Sequence, residues 1–148
     1  MGYPEGAMPE ALIDVLLLEV DGRRIGLPAS LVVEVLPSAA VEPLPDAPPA
    51  VEGVLNVRGE VLPVISMRHR LGMPPRSPTV DDHLVRVESG GRHLLLRVDR
   101  ALDLIGVDPW RLRELDAARG AVATPEGTLV VQDAERFLTV EELETLDL

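Results

Sequence analysis

The sequence repeats itself once, and this constrains the fold more than any other feature in it. Gly22-Arg23-Arg24-Ile25-Gly26-Leu27 returns as Gly91-Arg92-His93-Leu94-Leu95-Leu96. The apolar positions stay in step beyond it, with Val32 answering to Ala101 and Val35 to Leu104. Farther on, Gly53-Val54-Leu55 lines up with Gly120-Ala121-Val122, and Leu62 through Leu71 with Leu129 through Leu138. Four segments sharing nearly one spacing, just under half the chain, imply two similar subunits of structure.

Each repeat reads as about five short strands. In the first, apolar runs at Leu12–Val20, Arg24–Pro28, Leu31–Leu36, Val54–Val57 and Glu60–Ile65 are bounded by turn residues. In the second, His83–Glu88, Arg92–Val98, Ala101–Val107, Ala121–Thr124 and Thr128–Gln132 repeat the scheme. Arg58-Gly59 and Ser89-Gly90-Gly91 are hairpin turns by composition. Fourteen prolines and twelve glycines interrupt the chain too often for a helical bundle. With only Tyr3, Trp110 and Phe137 aromatic, the core must be packed from Leu, Val, Ile and Ala. The expected architecture is all-β: a flexible tail over residues 1–11, then one domain over 12–148. Its first subdomain runs over about 12–72 and its second over about 80–148, and the first strand can cross over to complete the other barrel.

Helices are expected to be few and short. Ser66 can cap a turn over Met67–Leu71 that ends at Gly72 and Pro74. Asp108-Pro109 starts a turn carrying Trp110, which serves either as a core plug or as an interface anchor. Thr139-Val140-Glu141-Glu142 is a capping box and predicts a C-terminal helix from about Val140 to Leu146. Pro43–Pro49 and Pro74–Pro78 read as loops.

A net charge of −11 argues against a nucleic-acid surface, which needs clustered cations, and disfavours an anionic membrane. No apolar run reaches the ~20 residues that span a bilayer. The first ten residues lack the basic start and apolar centre of a signal peptide. The expected location is therefore the cytoplasm. The absence of Cys leaves no disulfide framework and no thiolate metal site. No nucleophile elbow, zinc-helix motif or phosphate loop is present either. Asp81, Asp82 and His83 form the one group with the residue types of a metal-dependent hydrolase. Adjacent strand residues point to opposite faces, however, so they converge only with help from distant ligands. The expectation is a protein with no catalytic residues, metal or cofactor.

The segment from Gly53 to Gly72 contains Gly53-Val54-Leu55-Asn56-Val57-Arg58-Gly59, an apolar strand with Pro63, and a short stretch with paired basic residues. Here the chain resembles the CheW family, the coupling proteins of bacterial chemosensory arrays. Gly26-Leu27-Pro28 through Val32-Val33-Glu34-Val35 and Val98-Asp99 through Ala101-Leu102-Asp103-Leu104 carry the resemblance further, so that it covers about Leu16 to Leu138. The chain departs from the family pattern at Ser66, Arg100 and Ser38-Ala39-Ala40, and in its short connection between Trp110 and Gly120.

The resemblance implies two five-stranded SH3-like barrels side by side. It also implies a non-enzymatic adaptor that links the helical hairpin tip of a methyl-accepting chemoreceptor to the regulatory domain of a CheA-type histidine kinase. Val32, Gly53 and Leu104 match the family's receptor-groove positions, and Glu34 and Arg58 match an ion pair beside that groove. Each residue has a plainer reading. Val32 and Leu104 suit a strand core equally well, Gly53 and Gly59 suit turns, and Glu34–Arg58 suits an ordinary surface pair. The resemblance leaves room for a divergent adaptor of another pathway, such as surface motility, that binds receptor but not kinase.

Overall fold

The computed structural model describes residues 12–108, 113–116, 121–124 and 127–131. The tail over 1–11, the Trp110 turn and the C-terminal helix expected from the sequence lie outside the described residues. Among the described residues, eleven strands form two sheets: β1 (Ile13–Val20), β2 (Arg23–Pro28), β3 (Val32–Pro37), β4 (Val51–Val57), β5 (Glu60–Ser66), β6 (His83–Ser89), β7 (Arg92–Val98), β8 (Arg100–Val107), β9 (Arg113–Asp116), β10 (Ala121–Ala123) and β11 (Leu129–Val131). A short helix, α1 (Met67–Arg70), follows β5, and a 3-10 turn spans Ala29–Leu31. Ser66 caps α1 by accepting the His69 N–H at 3.2 Å.

The strand order is β8-β1-β2-β11-β10-β9 in one sheet and β3-β6-β7-β5-β4 in the other. The sheets are therefore not the two halves of the sequence. Each half lends its first hairpin to the other: β1–β2 joins β8–β11, and β6–β7 joins β3–β5. The exchange is symmetric down to the register. Leu16 pairs with Leu27 and Leu104 where Val85 pairs with Leu96 and Val35. The bulge between Leu16 and Leu18 against β8 has its counterpart between Val32 and Glu34 against β6. Three hairpins turn on two residues of positive φ, Asp21-Gly22, Arg58-Gly59 and Gly90-Gly91, the type I′ geometry that suits strand twist.

One correspondence drawn from the sequence shifts by a residue. Val64 lies beside Leu95 in β7, and Val130 beside Gly26 in β2. Leu95 and Gly26 are matched hairpin positions, so Val64 corresponds to Val130, and Pro63 rather than Leu62 corresponds to Leu129. A one-residue slip moves every side chain to the other face. Burial follows the corrected register, since Ile65 and Val131 share the central core while Val64 and Val130 face away from it.

That central core is built mainly from the exchanged hairpins. Leu16, Leu18, Val20, Ile25 and Leu27 meet Val85, Val87, Leu94, Leu96 and Val98 between the sheets. Each fully buried Val, Leu or Ile contributes about 1.5–3 kcal/mol, so this contact holds the sheets together. A smaller cluster of Val57, Leu62, Val64, Leu84 and Leu95 fills the concave side of the five-stranded sheet. Val15, Val107 and Val130 do the same in the six-stranded sheet. Strands that contribute to two clusters are apolar on both faces, as Val15-Leu16-Leu17-Leu18 and Leu94-Leu95-Leu96 are. Edge strand β3 alternates between half-buried and exposed positions instead. Among the described residues no ladder closes either sheet into a complete barrel.

Candidate functional site

The curled five-stranded sheet carries charge at both ends of its small apolar cluster. At one end Arg86, an inward arginine on β6, is almost fully buried. Its Nε donates to His93 Nδ1 at 2.9 Å, and its terminal nitrogens reach Glu60 at 3.0 Å and Glu34 at 3.4 Å. Glu34 also receives Arg58 from the β4–β5 turn, which ties edge strand β3 to the far side of the same sheet. The Arg58 hydrogen bond is the largest influence on the Glu34 carboxyl; burial opposes it, and the charges of Arg58 and Arg86 reinforce it, leaving the carboxyl below its ordinary range. Arg58 is 65% exposed, so this is a surface pair and contributes little to stability.

At the other end Arg97, on β7, is likewise buried. It donates to Glu52 at 2.8 Å, to Ser38 at 3.0 Å and to Asp82 at 3.4 Å. Asp82 is 2% exposed and accepts from Arg76 at 2.5 Å and from the Thr79 N–H and hydroxyl, both at 3.0 Å. Arg76 continues to Asp99 at 3.3 Å, and Arg68 of α1 binds both Asp99 oxygens, at 2.6 and 3.1 Å. A cleft of about 670 Å³ opens beside this chain of charges, between Ala39–Val41 and the loop carrying Met73, Pro75 and Pro78.

Burial pushes the Asp99 carboxyl up, but the Arg68 bond, the Asp21 N–H and the charges of Arg68 and Arg76 outweigh it and hold it low. A carboxyl with a lower folded than unfolded pKa adds stability above its unfolded value, and this is lost as pH falls through the folded one. The melting temperature should therefore drop on acidification below the ordinary carboxylate range. Asp99→Asn should flatten part of that acid limb in a pH series of thermal melts.

The Asp81, Asp82 and His83 triplet does not assemble. Asp82 is consumed by Arg76, Arg97 and Thr79, and His83 Nδ1 accepts the Ala101 N–H at 2.8 Å. Among the described residues no group of three His, Asp or Glu side chains is placed to hold a metal ion. The three residues named for a hydrolase are thus engaged in separate contacts.

Of the residues singled out from the sequence, Glu34 and Arg58 are brought together. Val32, Gly53 and Leu104 stand on three strands, β3, β4 and β8; β3 and β4 are opposite edges of one sheet, and β8 is an edge of the other. Val32 is half-buried and packs on the central core. Leu104 is 68% exposed, and its repeat counterpart Val35 is exposed as well. Gly53 is buried against backbone: a Cβ there would lie 2.1 Å from the Glu42 carbonyl oxygen. Glu42 and Val54 exchange backbone hydrogen bonds of 2.8 and 2.9 Å across this approach. Gly59, at φ 92°, completes the β4–β5 turn and donates its N–H to Asn56 Oδ1 at 2.8 Å. Sequence reasoning missed Arg68, Arg76, Arg86 and Arg97. The available signal was an arginine inside otherwise apolar runs such as His83-Leu84-Val85-Arg86-Val87.

This arrangement of two hairpin-exchanged sheets has known relatives. The family model for the CheW-like domain matches residues 14–144. The chain belongs to the CheW-like domain family. The chemotaxis protein CheW of Rhizobium meliloti is 31% identical over 111 residues, which cover 69% of this chain and 72% of that protein. A probable chemotaxis protein CheW of Rhizobium etli is 28% identical over 110 residues, 68% of this chain and 71% of that one. Protein FrzA of Myxococcus xanthus is 39% identical over 61 residues, 41% of this chain and 37% of its own. The crystal structure of the scaffolding protein TtCheW from Thermoanaerobacter tengcongensis superposes with a TM-score of 0.73 over 87% of this chain and 92% of that one, at 23% identity. The chain is thus a CheW-like, non-enzymatic adaptor of the chemotaxis type with the CheW fold. No helix among the described residues is long and apolar enough to cross a membrane.

Proposed function

We propose that this adaptor couples the cytoplasmic helical hairpin tip of a chemoreceptor to the regulatory domain of a CheA-type histidine kinase in the cytoplasm. The observation that carries the reading is Leu104. A large apolar side chain left mostly exposed on an edge strand in a chain of net charge −11 suits an apolar partner face. An amphipathic receptor helix offers such a face. In this reading Leu104 is the direct contact, and Val32 is rooted in the central core. Gly53 lets the Glu42 backbone approach β4 closely, and the Glu34–Arg58 pair lies at the surface.

The test is Leu104→Asp, titrated against a receptor hairpin fragment and, separately, against the kinase regulatory domain. A charge buried against an apolar helix goes unpaired, and losing a central contact costs about 2 kcal/mol or more, roughly thirtyfold in affinity. Because Leu104 is exposed, the circular-dichroism melt of this variant should match that of the unsubstituted protein. Val32→Asp should lower the melt as well. A folded Leu104→Asp protein with full receptor affinity overturns the assignment. Receptor binding without any kinase binding would make the chain a receptor-only adaptor.

A further inference from the structure

The chain passes between the two sheets at only two places among the described residues, from β2 to β3 and from β7 to β8. The first crossing is the 3-10 turn Ala29–Leu31, which no side chain caps. The second is a single residue, Asp99, standing between Val98 and Arg100. Asp99 is gripped from both sheets. Its N–H donates to the Glu19 carbonyl of β1 at 3.0 Å, and its carboxylate accepts the Asp21 N–H of the β1–β2 turn at 2.8 Å. From the other sheet's side, Arg68 of α1 binds both of its oxygens and also reaches Asp21 at 3.2 Å. The Arg68 and Asp99 side chains are mostly shielded from water, where an ion pair is little screened by salt.

We propose that the Asp99–Arg68 clasp fixes the angle between the two sheets and so positions the edges that meet a partner. A covalent hinge one residue long, as at Asp99, constrains distance but leaves rotation free, and φ and ψ of that residue absorb it. A two-pronged carboxylate–guanidinium bond has a planar fork geometry that does resist rotation. The central core opposes separation of the sheets, and the clasp adds direction. Asp99 and Arg68 are therefore positioning residues, acting through the relative placement of β3 and β8 without touching the partner themselves. Their effect on binding rests on the receptor reading above; their effect on the angle does not.

The chain has no cysteine, which makes the test clean. Spin labels at Arg24→Cys on β2 and Val61→Cys on β5, both exposed positions, report the distance between the sheets by pulsed electron resonance. Arg68→Met and Asp99→Asn should each broaden or shift the distance distribution while the far-ultraviolet dichroism stays that of the folded protein. If the orientation able to bind falls to about a tenth of the population, affinity for the receptor hairpin falls about tenfold. A distribution unchanged in both folded single variants overturns the clasp. So does loss of folding in both, because the pair would then hold the fold instead of the angle. A broadened distribution with undiminished receptor binding upholds the clasp and overturns the receptor reading.

Discussion

Asp82→Ala should be among the most damaging single substitutions in this protein, lowering stability by about 3–5 kcal/mol. Asp82 is nearly inaccessible and is bonded by two arginines, one of them, Arg97, buried itself. Removing the carboxylate leaves Arg97 with Glu52 and Ser38 and strips the 74–82 loop of the Thr79 anchor. In a chain of this size each kcal/mol moves the melting temperature by about 2–4 °C, so a drop of about 10 °C is expected in a thermal melt. Asp81→Ala, one residue earlier and exposed, should melt within about 0.5 kcal/mol of the unsubstituted protein. If the two variants melt alike, Glu52 and Ser38 suffice for Arg97.

Gly53→Ala should also be costly, for a reason unrelated to any partner. Its added methyl would overlap the Glu42 carbonyl, with the oxygen at 2.1 Å and the carbon at 2.7 Å. Backbone cannot swing aside as a side chain can, so either the bridge between Glu42 and Val54 opens or β4 shifts. A cost of about 2–4 kcal/mol is expected. Gly59→Ala is the informative comparison. Nothing lies within 4 Å of that Cβ position, and the penalty is only the left-handed backbone, about 1–2 kcal/mol. Denaturant unfolding of the pair should rank Gly53→Ala well below Gly59→Ala in stability. The reverse ranking would mean that the segment around Glu42 gives way readily.

The sequence carried the repeat, the all-β class, the two-residue turns and the Ser66 cap, because each depends on local spacing or on one residue's backbone preference. It raised the crossing of the first strand into the other half, which β1 makes, but it could not reveal that both first hairpins are exchanged whole. Ile25 and Leu129 meet in parallel strands, a pairing that leaves no mark on either segment. Nor could it settle the register of β5 against the second repeat. Leu62, Pro63, Val64 and Ile65 are all buried, so no alternation of apolar and polar residues marks one face. The ion network was illegible for a related reason. Arg86 and Arg97 look like solvent-facing strand residues until the carboxylates of Glu34, Glu60, Glu52 and Asp82 arrive from segments remote in the chain. Leu104 and Val32 were indistinguishable as letters, and only edge position and packing separate an exposed apolar residue from one rooted in the core.

The hairpin exchange also governs the order in which such a chain can reach its final state. The β1–β2 hairpin can close on its own turn as soon as both strands exist. Its two outer edges, however, must wait for β8 on one side and β11 on the other. Through that interval Val15, Leu16, Leu17 and Leu18 have their own hairpin mate but not their final neighbours. Pairings so distant along the chain are slow to form, because the loop must close before any contact rewards it. A half-finished chain thus holds an apolar ribbon with open edges, the kind of surface that invites aggregation. Neither half can therefore complete its sheet without a hairpin from the other.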